Sequence, residues 1–284
     1  MDEKIVVKKK FKTSNFVLGA VLSLISLAYI YPIFMVLINA LKKSNKITTD
    51  AMFKLPTSES FTGWTNFKCA IETNKFFQSF GVSLLITVTS VAAIIIFCSM
   101  CAWFITRVNT KITKFCYFLF VFSMVVPFQM LMFTLANLTD KTGLNTPYNL
   151  CIVYLGFGAG LAVFMFCGFM KSIPLEIEEA AMIDGCGPIR TFFKVTLPMA
   201  MPGISVATLY TFLGSMEEAQ GTMLVGMAKV QTMPVAMYGI VLDSSAVQIG
   251  AVFAILLIIP SALMIFAMRK YIGPEAISGG FKMK

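Results

Sequence analysis

The stretch Phe76–Thr106, FFQSFGVSLLITVTSVAAIIIFCSMCAWFIT, runs for 31 residues without a charged side chain between Lys75 and Arg107. A bilayer core of about 30 Å is crossed by about 20 apolar helical residues, so this stretch can span a membrane with length to spare. Five further charge-free windows share its character: Thr13–Leu41, Phe115–Thr139, Thr142–Met170, Val195–Met216 and Ser244–Met268. Lipid offers the backbone no hydrogen bonds, so the spans are helices; a β-barrel would show alternating strands of about ten residues. The expected fold is all-α, a polytopic membrane protein with six transmembrane helices in one transmembrane domain. The span cores fall at 16–38, 80–105, 116–137, 149–170, 203–226 and 249–268, with Pro127 and Pro260 as kinks inside them.

Composition agrees. Of 284 residues, 57% are hydrophobic and 13% charged, about half the charge of a soluble domain. These values exclude a disordered chain, a collagen-like fibre and a secreted disulfide scaffold. A net charge of +9 would point to nucleic acid in a soluble protein; in a membrane protein it marks cytoplasmic loops. With the N-terminus inside, the cytoplasmic segments hold 15 Lys and Arg and the external ones 8, which places both termini in the cytoplasm. The first apolar stretch follows Lys4, Lys8, Lys9, Lys10 and Lys12 but is longer than the roughly 7–15 residues of a signal peptide. Tyr29, Tyr31 and Pro32 stand where a cleavage site belongs, so the stretch reads as a retained helix.

Three loops remain. Residues 39–75 are external, and Leu55, Pro56, Phe61, Trp64 and Phe67 fit a cap on the membrane surface or, equally, an interfacial aromatic belt. The external loop 228–249, with Gln231, Thr232, Met233 and Pro234, says little alone. The cytoplasmic loop 171–202 says most. Pro174 fits the first turn of a helix whose positive end then carries Glu176, Glu178 and Glu179. Ile177, Ala180, Ala181 and Ile183 form an apolar stripe; Gly185, Gly187 and Pro188 end that helix and start a second, which Pro198 stops. An interfacial helix lying on lipid should carry Lys and Arg on its polar face. This one carries acids, and a protein partner is the better match.

The same loop resembles the signature of ABC importer permeases, the inner-membrane components of binding-protein-dependent transport. That pattern is Glu-Ala-Ala, three residues, Gly, nine residues, Ile, one residue, Leu-Pro. Here Glu179, Ala180, Ala181, Gly185, Leu197 and Pro198 keep the spacing, with Val195 at the Ile position. Asp184 before Gly185 and the pair Pro202-Gly203 are similar to the carbohydrate-uptake class. So are Leu55-Pro56, Gln231-Thr232 with Pro234, Pro260 and the tail from Arg269 to Lys282; the chain most resembles that class's shorter, maltose-G-like permease. The resemblance implies a coupling helix seated in a cytoplasmic ATPase subunit through Glu179, Ala180, Ala181, Asp184 and Gly185, with Leu197 and Pro198 closing the motif. The tail residues Gly279, Gly280 and Lys282 would also contact the ATPase. Implied partners are a second homologous permease, two ATPase subunits that use ATP and Mg, and an extracellular solute-binding protein, all at a bacterial cytoplasmic membrane. The implied cargo is a sugar or oligosaccharide, or a non-sugar solute.

Glu217 and Glu218 are costly in a fifth span, and intramembrane acids usually face a cavity or a partner. They read as a translocation cavity or gate, or as a helix end dipping into headgroups. Where the family shows Trp-Asn-acid-aromatic, this chain has Met216, Glu217, Glu218 and Ala219. A proton-coupled carrier using both acids is a reading from another class, although six spans without an inverted repeat argue against it. A non-transporting scaffold leaves the acids without a purpose. Cys98 and Cys101, in a chain without His, read as packing residues, and no metal site is expected. The chain carries no Gly-x-x-x-x-Gly-Lys-Ser/Thr, so it is expected to bind no nucleotide and to be no enzyme alone.

Overall fold

A computed structural model describes residues 13–51, 53–219, 222, 230–242 and 246–270. Twelve helices are found among them: α1 Thr13–Ala40, α2 Ser44–Thr49, α3 Thr65–Glu72, α4 Phe76–Arg107, α5 Lys111–Val125, α6 Phe128–Thr142, α7 Leu150–Lys171, α8 Leu175–Ile183, α9 Pro188–Met199, α10 Met201–Glu217, α11 Met233–Leu242 and α12 Val247–Met268. No strand occurs among the described residues. Four helices, α1 from Val17, α4, α7 and α12, are each long and apolar enough to cross a bilayer, and two bent pairs bring the number to as many as six.

The bends are where the structure departs from the expected rods. The span expected at 116–137 is two helices, α5 and α6, set 101° apart. Proline disfavours the helical region for the residue before it, and Val126 is extended at φ −74°, ψ 114°, as is Pro127 at φ −63°, ψ 136°. Pro260 has no such effect: it is buried inside an uninterrupted α12. The helix expected over 203–226 instead ends at Glu217, where Glu218 turns extended at ψ 109°. At its other end α10 meets α9 at 78°. The helix expected to stop at Pro198 runs on to Met199. A π turn at Phe192–Thr196 precedes the proline, and Leu197 N–H already bonds back five residues to Phe192 O. The ladder is therefore displaced before the missing donor is reached.

Helix α7 is the hub, packed on α4, α5 and α10, and its Ala162, Val163, Phe166, Cys167 and Met170 are buried. A second cluster joins α12 to α1, α3 and α11, with the Phe253 ring 5.3 Å edge-on to Phe76. The side chains of α1 from Val17 to Phe34 are exposed, a surface for lipid or another subunit. Small residues let the helices approach. A β-carbon on Gly160 of α7 would lie 2.7 Å from Phe120 O of α5, and one on Gly203 of α10 would lie 2.0 Å from the Phe169 ring of α7. Some hydroxyls inside the bundle are satisfied along their own helices, as in Thr139 to Leu135 O (2.9 Å) and Ser205 to Met201 O (2.7 Å).

Outside the bundle, residues 41–73 fold on themselves around Asn66. Its buried Nδ2 donates to Ala40 O (2.7 Å), Lys42 O (2.9 Å) and Thr62 Oγ1 (2.9 Å), tying α3 to the end of α1. Trp64 stays 76% exposed, with its ring edge-on to Phe67, so the segment is a folded cap that also presents aromatic surface.

Gly203→Ala should destabilise the purified protein by about 1–3 kcal/mol through overpacking against Phe169. Gly156→Ala, where a β-carbon meets nothing within 4 Å, should not; thermal unfolding in detergent compares the two.

Candidate functional site

Two features of the fold can do chemical or mechanical work: the loop between α7 and α10, and a cavity between α4, α7 and α10. The loop begins at Pro174, which stands just before α8 as its cap, at ψ 137°, and not within the first turn. Helix α8 closes as a Schellman motif. Gly185 N–H bonds to Met182 O and Cys186 N–H to Ala181 O, both at 3.0 Å, with Gly185 at φ +86°. A β-carbon there would meet nothing within 4 Å. The glycine is therefore needed for its left-handed backbone and not for space within this chain.

Of the four acids on this loop one is unlike the rest. Glu176, Glu179 and Asp184 are exposed, whereas Glu178 is 1% exposed. Trp103 Nε1 donates to its Oε2 at 3.0 Å; Arg107 Nη2 donates to Oε1 at 2.8 Å, and Nε to both oxygens at 3.1 Å. Arg107 Nη2 also donates to Ile173 O at 3.0 Å, holding the turn that leads into α8. Trp103 and Arg107 lie one turn apart at the end of α4, and the Trp103 ring is 5.3 Å from Phe192 in the π turn of α9. One end of α4 therefore grips both arms of the loop. Burial pushes the Glu178 carboxyl up, but the hydrogen bonds from Arg107 and Trp103 and the guanidinium charge outweigh it, and Glu178 titrates below the ordinary glutamate range.

With Glu178 turned inward, α8 presents Glu179 and Ala180 outward, with Ala181 half-buried. Ile183 is 85% exposed and Ile189, at the start of α9, 67%. Of the motif's far end, Pro198 is exposed, while Leu197 is half-buried against the core around α7. Gly279, Gly280 and Lys282 lie outside the described residues. Glu178 was hidden in the sequence among its acidic neighbours; the signal for it was Trp103 and Arg107, four residues apart at the end of an apolar span.

The cavity has a volume of about 470 Å³ and abuts the break at Pro127, with Met124 and Phe128 on its wall. Its polar lining is Ser90, Tyr154, Tyr210, Thr211, Ser215 and Glu218; Val91, Ile94, Leu150 and Phe157 are among the apolar residues. Among the described residues, no Lys or Arg lines it. Ser215 Oγ is 3.0 Å from Thr87 Oγ1, Tyr154 OH bonds to Thr222 Oγ1, and that hydroxyl reaches Glu218 O at 3.3 Å. The Tyr210 ring is 61% exposed. Glu217 and Glu218 part company here: Glu218 leaves the helix and enters the cavity wall, while Glu217 ends α10 exposed and is not among the lining residues. Cys98 and Cys101 are unpaired, and Cys98 is buried in the core beside α7.

Residues 94–277 match the family described as binding-protein-dependent transport system inner membrane component, and the chain belongs to that family. It is 36% identical over 185 residues to the "Probable starch degradation products transport system permease protein AmyC" of Thermoanaerobacterium thermosulfurigenes, a match covering 65% of either chain. It is 27% identical over 270 residues to the "Diacetylchitobiose uptake system permease protein NgcG" of Streptomyces coelicolor, covering 93% of this chain and 87% of that one. In fold it is similar to a chain of a bacterial ABC transporter involved in the import of the acidic polysaccharide alginate. That match has a TM-score of 0.67 at 21% identity, over 94% of this chain and 100% of the other.

Because the folded Glu178 holds its proton less tightly than an unfolded glutamate, its clamp is fully present above the unfolded pKa of about 4.3. It is lost as pH falls below that value through the folded one. Amide exchange in residues 175–183 should therefore stay constant from neutral pH to about 5, once corrected for intrinsic rates, and accelerate below about 4. Separately, Gly185→Ala should destabilise the end of α8 by about 1–2 kcal/mol, and Gly185→Asn by less; exchange at Cys186 reads both.

Proposed function

We propose that this chain is the permease subunit of an ATP-driven importer for a neutral sugar or oligosaccharide, and that α8 is its coupling helix. The observation that carries the reading is the outward apolar and acidic face of α8, held on the bundle by a buried carboxylate below a polar cavity. A helix fixed in this way is suited to receive force from a cytoplasmic partner, and the cavity is suited to receive cargo. Its aromatic faces and hydroxyls fit the apolar faces and hydroxyl edges of a sugar ring. With Glu218 and, among the described residues, no Lys or Arg in the wall, it is better matched to a neutral cargo than to an anion. The names of the two relatives, both transport permeases for saccharides, support the same cargo class.

In this reading the other half of the pathway comes from a second, homologous permease. Two cytoplasmic ATPase subunits bind ATP and Mg, and an external solute-binding protein delivers the cargo. The chain carries no nucleotide-binding motif of its own and performs no hydrolysis. Both termini, α8 and the tail with Gly279, Gly280 and Lys282 face the cytoplasm in this reading, which the excess of Lys and Arg in those segments supports. Closure of the ATPase pair moves α8 and rocks the spans between inward-open and outward-open states. A proton-coupled carrier is less well supported, since it would use Glu217 and Glu218 together and only Glu218 lines the cavity.

Ile183→Glu should remove a docking contact and lower the ATPase recovered with the affinity-purified permease by about tenfold or more. Tyr210→Ala should leave that recovery unchanged and lower saccharide uptake by reconstituted vesicles about threefold to tenfold.

A further inference from the structure

The buried clamp fixes the loop to α4, which is neither the helix that leads into the loop nor the one that leaves it. Helix α4 is also a wall of the cavity, through Ser90, Val91 and Ile94. We propose that Glu178, Arg107 and Trp103 form the link that delivers movement of α8 to α4, so that the cavity changes shape with the cytoplasmic helix. The proposal rests on the reading of α8 as an ATPase-docking helix.

The geometry suits a link more than a simple anchor. Arg107 meets Glu178 through a two-nitrogen fork, which resists rotation as well as separation, and charge-assisted bonds of this kind are the strong ones. Burial keeps them from being screened. The ion pairs Lys46–Glu59 and Lys68–Glu72, by contrast, are 4.0 Å apart and largely solvent-exposed, and such pairs carry little load. Phe192 against Trp103 brings α9 to the same point, so a push on either arm of the loop reaches α4. From Arg107 to Ser90 the helix rises about 25 Å at about 1.5 Å per residue. The π turn Ile94–Cys98 lies between them, and Ile94 itself lines the cavity. Arg107 and Trp103 are positioning residues in this scheme: they touch neither cargo nor nucleotide.

The test uses the full chain in complex with its cognate permease and ATPase subunits, with Ser90→Cys as reporter. N-ethylmaleimide labelling at that position, read by peptide mass spectrometry, is compared without nucleotide and after trapping with ATP and vanadate. With the clamp intact, trapping should change the labelling rate about threefold to thirtyfold. In Glu178→Gln the ATPases should still co-purify but the response should vanish, while Arg107→Lys, which keeps charge without the fork, should give an intermediate response. A wild-type response in Glu178→Gln, or an unresponsive thiol beside the intact clamp, would overturn the proposal. If Glu178→Gln does not assemble, Arg107→Lys and Trp103→Phe serve in its place, and a full response in both overturns it. Failure of the docking reading looks different: Ile183→Glu would retain its ATPases and its response.

Discussion

A carboxylate taken out of water must be paired and hydrogen-bonded, or it destabilises what buries it. Glu178 meets that condition through Arg107 and Trp103, and much of this end of the bundle follows. The pair dictates which way α8 rolls: Glu178 inward sends Glu179, Ala180 and Ile183 outward. Through Ile173 O it sets the turn before Pro174, and through Trp103 and Phe192 it seats the helix that follows. Removing one partner of a buried pair of this type destabilises by about 3–5 kcal/mol, whereas an apolar replacement of the whole pair is often neutral. Stability alone therefore does not require an ion pair here. An inter-helix connection with fixed orientation is what the pair provides and what an apolar contact would not.

The bends in the bundle serve the cavity in the same way that the clamp serves the loop. The break at Pro127 separates Met124 from Phe128 and leaves both on the cavity wall, and the early end of α10 lets Glu218 leave the helix beside Tyr154 and Thr222. Backbone that departs from the helix within a membrane protein is tolerated where it lines a cavity. Both departures fall at such a place. Gly203 under the Phe169 ring and Gly160 against Phe120 O bring α7 close enough to its neighbours to form the opposite wall.

The fold class was legible because lipid leaves so little choice: long windows without charge must be helices, and charged residues bound them. The end of α8 was legible because turn chemistry is local, and Gly185 takes the left-handed conformation that a helix ending there demands. What was not legible depended on contacts distant in sequence. Pro127 and Pro260 look alike in the chain, yet one stands at a break in its span and the other sits inside an uninterrupted helix. Glu217 and Glu218 are adjacent and chemically identical, and only the position of the helix end separates their places. Asn66 closes the cap through carbonyls 24 and 26 residues away, a partnership that no local pattern announces. Glu178 reads as one acid among four until Arg107, 71 residues earlier, is brought beside it.

The central claim is that α8 and the Arg107 end of α4 move as one body. Spin labels at Leu175 and Phe104, both exposed, report on it directly by pulsed electron–electron distance measurement in the assembled complex. The Leu175–Phe104 distance should stay constant within about 2 Å between the nucleotide-free and the ATP–vanadate states, while the distance from Leu175 to a label at Leu263 on α12 changes. A change in the Leu175–Phe104 distance as large as that between Leu175 and Leu263 would contradict the account.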